Sequence, residues 1–396
     1  MKTNIAVFFG CRSVEHEVSI ISAVQAMRAA NREKYDLIPV YVTKSGAMFS
    51  SPEMFEIESF RDIEKLLKTA EEVTFLKREN GVFMHPLNKK AFKKQKDTRI
   101  DLAFPIVHGT NCEDGTIAGY FEFLGLPYIS CDIISAAVGM DKAVFKDVLK
   151  SAGLPVLPCV RFTSREYLLD SAGISGKIGK EIGYPLIVKP INLGSSVGIS
   201  KVKSADALDE AICLAASFAD KILAERAVEN LREINCSVLG DIDGCTASVC
   251  EEPFMHDEIL SYKDKYEGEK SKGASKGMAS LGRKIPADIS DELSEKIRDI
   301  SCKIFKAIGA SGVVRIDYLM DDRSKEVYAN EINTIPGSLA FYLWEASGVK
   351  YGELIDKLVG LAFARQRKRE NLKFTIDTNI LSGVSFGSKG AKGSKF

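Results

Sequence analysis

The sequence predicts an α/β protein that becomes α+β in its C-terminal half, and three observations carry that reading. Short apolar runs of strand length, such as NIAVFFG at 4–10, alternate with stretches of helical periodicity. Glycine and serine turns such as Gly10, Ser13 and INLGSS at 191–196 punctuate them. The length of 396 residues, 45% of them hydrophobic, leaves room for two or three cores at roughly 100–200 residues per domain.

The first strand, 4–10, ends in Gly10 and is followed by a helix whose apolar positions include Val18, Ile21, Val24 and Ala26. Strands at 37–43 and 102–109, a helix at 115–125 and the short run PYIS continue the alternation, which implies a parallel sheet. Between them, residues 86–99 carry six basic side chains (Lys89, Lys90, Lys93, Lys94, Lys96, Arg99) around one aromatic, Phe92, and the charge-dense run reads as a solvated loop or hairpin. From about 132 the character changes. A helix (141–153) and a strand (156–162) lead to two β runs, YPLIVKP and VGISKV, that read as a hairpin around a Gly/Ser loop. Further β segments (ILAERAV, INCSVLG, TASVCEEP) precede a polar insertion at 257–284, a helix at 290–309, the strands VVRIDYLM and EVYANEIN, and a closing helix from Tyr351. The basic, Gly/Ser-rich end, GSKGAKGSKF, is expected to be disordered. No internal repeat is visible.

Lys plus Arg and Asp plus Glu number 54 each, so nothing drives the chain towards nucleic acid or anionic lipid, and the expected partner is a small molecule. No apolar run approaches the roughly 20 residues of a membrane helix and the N-terminus carries no cleavable signal, so the expected location is the cytoplasm. Nine scattered cysteines without a CxxC pair read as buried free thiols, and the four histidines lack ligand spacing, so no zinc site is expected.

The chemistry gathers at the C-terminal strand pair. If RIDYLM and NEIN are neighbours, Asp317, Glu331 and Asn333 converge as three oxygen ligands for a hard cation such as Mg²⁺; the alternative is the solvent-facing side of a sheet. Lys189 at a strand end can neutralise phosphate, and the N–H groups of Gly194, Ser195 and Ser196 can fold over an anion. No GxxxxGK[ST] and no GxGxxG occurs, which disfavours P-loop and dinucleotide sites and with them an NAD-dependent oxidoreductase. Glu15 and Glu17 at the first helix start would repel phosphate; either they stabilise the helix end or they receive an ammonium group.

The order SVEHEVS (13–19), HGTNCEDGT (108–116), MDK (140–142), LIVKP (186–190), GSSVGISKV (194–202), LAERAV (223–228), YKDKY (262–266), RID (315–317) and NEINTIPG (330–337) resembles the D-alanine:D-alanine ligases of the ATP-grasp superfamily over about residues 4–362. The resemblance implies an ATP-grasp fold of three domains, 1–131, 132–222 and 223–365, with a basic tail at 366–396 and the nucleotide between two β-sheets. It implies ATP as substrate, two Mg²⁺ ions for which Mn²⁺ could substitute, an acylphosphate intermediate, D-Ala-D-Ala for peptidoglycan precursors and cell shape, and a homodimer. Residue by residue, Lys142, Lys189 and Ser196 would hold phosphates, Glu225 would meet the adenine amino group, and Glu233 would accept from the ribose. Asp317, Glu331 and Asn333 fall at the metal positions, and Arg315 with the N–H of Gly337 at the oxyanion hole. Glu15 would receive the first ammonium and join Ser195 and Tyr266 in a closing set, while His108 and Glu113 would position the first substrate and Arg315. Lys265, Tyr342 and Leu343 would face the second amino acid.

Three places depart from the family pattern. Cys112 replaces a customary Gly, the segment after YKDKY is longer and richer in Gly and Lys, and SLAFYLWEAS stands where a Ser-rich turn and Pro are usual. Phe341, Tyr342 and Trp344 are either acceptor determinants or core residues of a helix start. Two alternatives follow: a ligase with another acceptor, such as one making D-Ala-D-Ser, or a catalytically weak nucleotide-binding homologue.

Overall fold

The computed structural model describes residues 2–87, 96–194, 197–254, 282–376 and 378–384. Its first sheet comprises β1 (Thr3–Gly10), β2 (Tyr35–Val42), β3 (Met48–Ser50), β4 (Glu71–Arg78), β5 (Gly81–Pro86), β6 (Thr98–Ile100) and β7 (Leu102–Pro105). Helices α1 (His16–Ala29), α2 (Ile63–Thr69) and α3 (Thr116–Leu124) accompany it. β1 is a near-continuous apolar run because both its faces are covered: Ile5, Val7 and Phe9 pack in the core that includes α1, and Ala6 and Phe8 in the core that includes α3.

The expected parallel sheet is only partly parallel. β2, β1 and β7 run parallel, whereas β3 to β6 extend the sheet antiparallel beyond β2. Tight connections explain it, since a two-residue turn at Glu79-Asn80 can return a strand only antiparallel to itself. The basic 86–99 segment accordingly connects a hairpin, β5 to β6; Lys89, Lys90, Lys93 and Lys94 lie outside the described residues. PYIS contributes a single bridge, Tyr128 to Ala103, instead of a strand.

Helices α4 (Ile133–Met140) and α5 (Lys142–Ser151) follow. Next come β8 (Cys159–Thr163), α6 (Ser164–Leu169), α7 (Ser171–Glu181), β9 (Leu186–Pro190), β10 (Ser200–Val202), α8 (Leu208–Ala216) and β11 (Lys221–Arg226). The strands form an antiparallel sheet in the order β10-β9-β11-β8, with β9 and β10 as the expected hairpin. The domain boundary expected at 222/223 falls inside β11. Phe145 and Leu149 of α5 pack into the next core along the chain, so residues 132–151 serve the C-terminal sheet more than the central one.

The last sheet has the order β14-β13-β12-β15-β16, built from β12 (Leu231–Gly240), β13 (Cys245–Pro253), β14 (Arg283–Lys284), β15 (Gly312–Asp321) and β16 (Val327–Asn333). Period-two alternation divides it. Ile234, Cys236, Val314, Ile316, Tyr318 and Met320 pack against α9 (Asp291–Ala307), leaving Glu233, Asn235, Arg315 and Asp317 on the opposite face. Helix α10 (Phe341–Ala346) and the long α11 (Tyr351–Glu370) close the chain. α11 returns to the first domain, burying Leu354, Ile355 and Leu358 in the core shared with α1, while Asp356 receives bonds from Lys34 Nζ (2.6 Å) and Tyr35 OH (2.7 Å).

No described helix is long and apolar enough to cross a membrane. The cysteines are free thiols, five buried, three partly buried and one, Cys213, exposed. GSKGAKGSKF lies outside the described residues.

Candidate active site

Antiparallel pairing of β15 and β16 sets Asp317 opposite Glu331 and Arg315 opposite Asn333. Asp317, 3% exposed, receives both arms of the Arg315 fork, Nε at 2.6 Å and Nη2 at 2.7 Å, and the Asn333 amide at 3.0 Å. A buried carboxylate needs such partners, because desolvation would otherwise drive it to its neutral form. Asp317, Glu331 and Asn333 thus sit on neighbouring strands, Glu331 opposite Asp317 and Asn333 bonded to it, and oxygen donors of this kind suit a divalent cation such as Mg²⁺.

Helix α5 and strand β9 each bring a lysine to the same point. Lys142 opens α5 just after its N-cap Asp141, whose carboxylate accepts the N–H groups of Ala143 and Val144; its Nζ donates to the Leu193 carbonyl (2.7 Å) and lies 3.2 Å from Glu331 Oε2. Lys189, on β9, donates to Asn330 Oδ1 on β16 (2.9 Å) and is in contact with Glu225 Oε1. A lysine at the start of α5 and another on β9 thus both meet β16, the strand that carries Glu331. Glu225 is 1% exposed; burial would raise its pKa, but Lys146 and Lys189 outweigh that and hold it down at about 2. Glu233 lies on β12 two residues before Asn235, on the polar face.

The N-terminal domain supplies a third wall. Glu15 sits at the start of α1, its N–H held by Ser13 Oγ, and only a glycine fits opposite: a Cβ on Gly109 (φ +78°) would lie 2.5 Å from Glu15 Oε2. Gly194 of the hairpin loop is near enough that a Cβ there would stand 3.6 Å from the same oxygen. His108 is buried and neutral. The Ile335 carbonyl can only accept, so Nδ1 (2.9 Å) carries the proton and Nε2 accepts from the Ser22 hydroxyl (3.1 Å), which itself accepts the N–H of Ser338 (3.0 Å). Glu113 accepts N–H groups from Gly109 (2.8 Å) and Ile335 (3.0 Å). Burial and the charges of Glu15 and Glu331 push its carboxyl up to about 8 against those two bonds.

Gly337 opens a turn in which Ser338, Leu339 and Ala340 all adopt left-handed φ, 50°, 56° and 49°, and all are buried. Three consecutive L-residues there cost roughly 1–2 kcal/mol each, so packing and the Ser338 bonds to Ser22 and Gln25 must hold them. Beyond the turn, Tyr342 is 8% exposed and donates to Glu251 Oε1 (3.1 Å), beneath the Arg283 guanidinium, 4.2 Å from its ring centre. Leu343 is fully buried against Val249 and Ile285, and Trp344 donates to Ser237 Oγ (2.9 Å). The side chain of Leu343 is therefore a core residue, not a wall facing a second amino acid as expected. Cys112 keeps an ordinary φ while Asn111 takes the left-handed position (φ 63°), so replacing Gly costs nothing in the backbone there. Ser195, Ser196, Lys265 and Tyr266 lie outside the described residues.

Residue-level reasoning from the sequence missed Lys146, Glu251, Arg283 and Ser22. Lys146 left one available signal, a lysine four residues after Lys142 and so on the same helix face. The others are joined to the site by contacts between residues 86 to 316 positions apart along the chain or across strands, which no local pattern encodes.

Comparison with known proteins places this geometry among relatives. A family model described as "D-ala D-ala ligase N-terminus" matches residues 4–131, and one described as "D-ala D-ala ligase C-terminus" matches 148–360. The chain is 38% identical over 379 residues to a D-alanine–D-alanine ligase of Thermosipho melanesiensis, covering 96% of this chain and 98% of that one. It is 39% identical over 386 residues to one of Acetivibrio thermocellus, covering 94% and 98%. The solved D-alanine-D-alanine ligase from Coxiella burnetii superposes with a TM-score of 0.78 at 28% identity, over 93% of this chain and 96% of that one.

Proposed function

Because the chain belongs to the D-alanine–D-alanine ligase family, an ATP-grasp family of ATP-dependent peptide-bond-forming ligases, we propose that it joins two molecules of D-alanine with hydrolysis of ATP, for peptidoglycan precursor synthesis. One observation carries the reading at the level of residues: Lys142 at the start of α5 and Lys189 of the central sheet meet Glu331 and Asn330 of β16. Cations that suit phosphate and oxygen ligands that suit a divalent metal occupy one place, as phosphoryl transfer from ATP requires.

In this reading Glu15 receives the ammonium of the first D-alanine, and the carboxylate of that D-alanine attacks the γ-phosphoryl group held by Lys142 and Lys189, with Ser195 and Ser196 covering it. The acylphosphate forms and ADP leaves the phosphoryl group on the carboxyl oxygen. The amine of the second D-alanine then attacks the carbonyl, phosphate departs, and an amide remains. Arg315 and the N–H of Gly337 stabilise the carboxyl oxygen as charge develops on it in both steps. Asp317, Glu331 and Asn333 would hold two Mg²⁺ ions, which neutralise charge on the β- and γ-phosphates. Lys265 and Tyr342 border the acceptor side, Tyr266 closes the site with Glu15 and Ser195, and neutral His108 with Glu113 fixes the loop and turn that bracket Arg315. Exclusion of water protects the acylphosphate from hydrolysis. Glu225 and Glu233 address the adenine amino group and the ribose. A cytoplasmic homodimer fits the same reading.

Phosphate release from ATP and Mg²⁺ with D- and L-amino acids, singly and in pairs, tests it, with products identified by mass. D-alanine alone should yield the dipeptide. Release that requires a second, different amino acid would move the acceptor assignment, and no product with any pair would remove the catalytic claim.

A further inference from the structure

Glu225 lies near the end of β11, opposite Ile187 of β9 and Cys159 of β8, and its two oxygens face two different lysines. Lys189 contacts Oε1 but is shared, since it also donates to Asn330 on the other sheet and stands among the phosphate-holding groups. Lys146 comes from α5, is 2% exposed, and has its ion pair with Glu225 alone among the described residues, 2.8 Å from Oε2. The angles of that contact fall outside hydrogen-bond geometry, so Lys146 Nζ and Glu225 Oε2 are paired in charge while neither is spent in a well-aligned bond.

That arrangement has a chemical consequence. An ionised carboxylate only accepts hydrogen bonds, whereas a protonated one presents a donor and could satisfy a carbonyl. At the base edge of a purine nucleotide the first form pairs with an exocyclic amine and repels a carbonyl oxygen. When triphosphate engages Lys189, a second cation must keep Glu225 ionised in its buried position.

We propose that Lys146 is a positioning residue that holds Glu225 as an acceptor-only carboxylate and thereby selects a 6-amino purine over a 6-oxo purine. The inference rests on the assignment of Glu225 to the adenine edge. Lys146 touches no substrate itself. It acts through Glu225, and it supplies the charge that Lys189 cannot dedicate.

The test measures nucleotide affinity of the full chain with Mg²⁺ by calorimetry for ATP, for purine riboside triphosphate, which lacks the 6-amino group, and for GTP. Wild type should prefer ATP to the purine analogue by about tenfold or more, the scale of one charged hydrogen bond. Lys146→Met should lose about tenfold in ATP affinity, less than about twofold in affinity for the analogue, and part of its discrimination against GTP. Lys146→Gln, similar in length and uncharged, repeats the comparison should the methionine variant fail to fold. Equal losses for ATP and the analogue would make Lys146 a structural residue, and unchanged affinities would remove its role; either overturns the proposal. Absence of any wild-type preference for ATP over the analogue would instead overturn the Glu225 assignment, and the inference with it.

Discussion

The proposed nucleotide side and the proposed acceptor side of the site solve the same problem, holding groups still, by largely different means. On the nucleotide side Lys142, Lys146, Lys189 and Glu225 are charges withdrawn from water and Glu331 is partly so, and each is fixed because its neighbour must neutralise it. On the acceptor side three residues in a left-handed turn, followed by the buried Leu343 and Trp344, are held mainly by packing and neutral hydrogen bonds, with one charged contact, Tyr342 on Glu251. Charge pairing ties position to residue type, so motifs survive intact. Packing ties position to volume, so the segment SLAFYLW can depart from its relatives' pattern while the fold stands.

The sharpest break in this contrast comes from Arg315, bonded to Asp317 on one side and close to Tyr342 on the other. Arg315→Met should lower kcat about 100- to 1,000-fold by removing the proposed oxyanion donor, and leave buried Asp317 with the Asn333 amide but no counter-charge, at about 3–5 kcal/mol in stability. Nucleotide affinity, by calorimetry well below the melting temperature, should move only a few-fold; a collapse there would mean the two sides are not separable. Leu343→Ala comes next, with a loss of about 2–5 kcal/mol in denaturant unfolding and an unchanged KM for D-alanine in the folded fraction. A large KM change without destabilisation would return Leu343 to the substrate wall. Tyr342→Phe should cost about 1.5–3 kcal/mol, since Glu251 loses a charged hydrogen bond while the ring keeps its stack on Arg283.

Glu113 sharpens the comparison through pH. Its folded pKa, about 8, lies above the ordinary carboxylate value of 4.5, so the folded protein binds this proton more tightly than the unfolded chain does. Its contribution to stability is complete below the unfolded value and drains away as pH rises through the window up to about 8. Glu113→Gln should flatten that part of the melting temperature profile; an unaltered slope would place the titration elsewhere. The smallest effect belongs to Ala340→Gly. Ala to Gly normally costs about 1 kcal/mol in a helix, but at φ 49° relief of left-handed strain should cancel that or turn it to a gain of up to about 1 kcal/mol, read by chemical denaturation.

Much of this molecule is legible along the chain, though unevenly. The apolar run Ile5–Phe9 of β1 and the Gly/Ser hairpin of β9 and β10 are local patterns, and they appear where their periodicity puts them. The antiparallel extension β3 to β6 escaped notice although Asn80-Gly81 is a hairpin signal, because the expected βαβ alternation claimed the region first. The break between lobes was placed at 222/223 because composition does not report that β11 must run to Arg226 to complete a four-stranded sheet.

What the amino-acid sequence determined by itself is the set of ionisable groups and their spacing. Asp317 with Arg315, Glu331 with Asn333, and Lys142 four residues before Lys146 each share a face of one strand or helix, and local geometry suffices to say so. What only the tertiary structure decided is which groups neutralise which. Lys142 chose Glu331, Lys146 chose Glu225, and His108 chose a tautomer dictated by Ile335 and Ser22. Those choices depend on burial, which raises the penalty for an unpaired charge until a partner from a distant segment becomes obligatory, and burial exists only once the sheets have met.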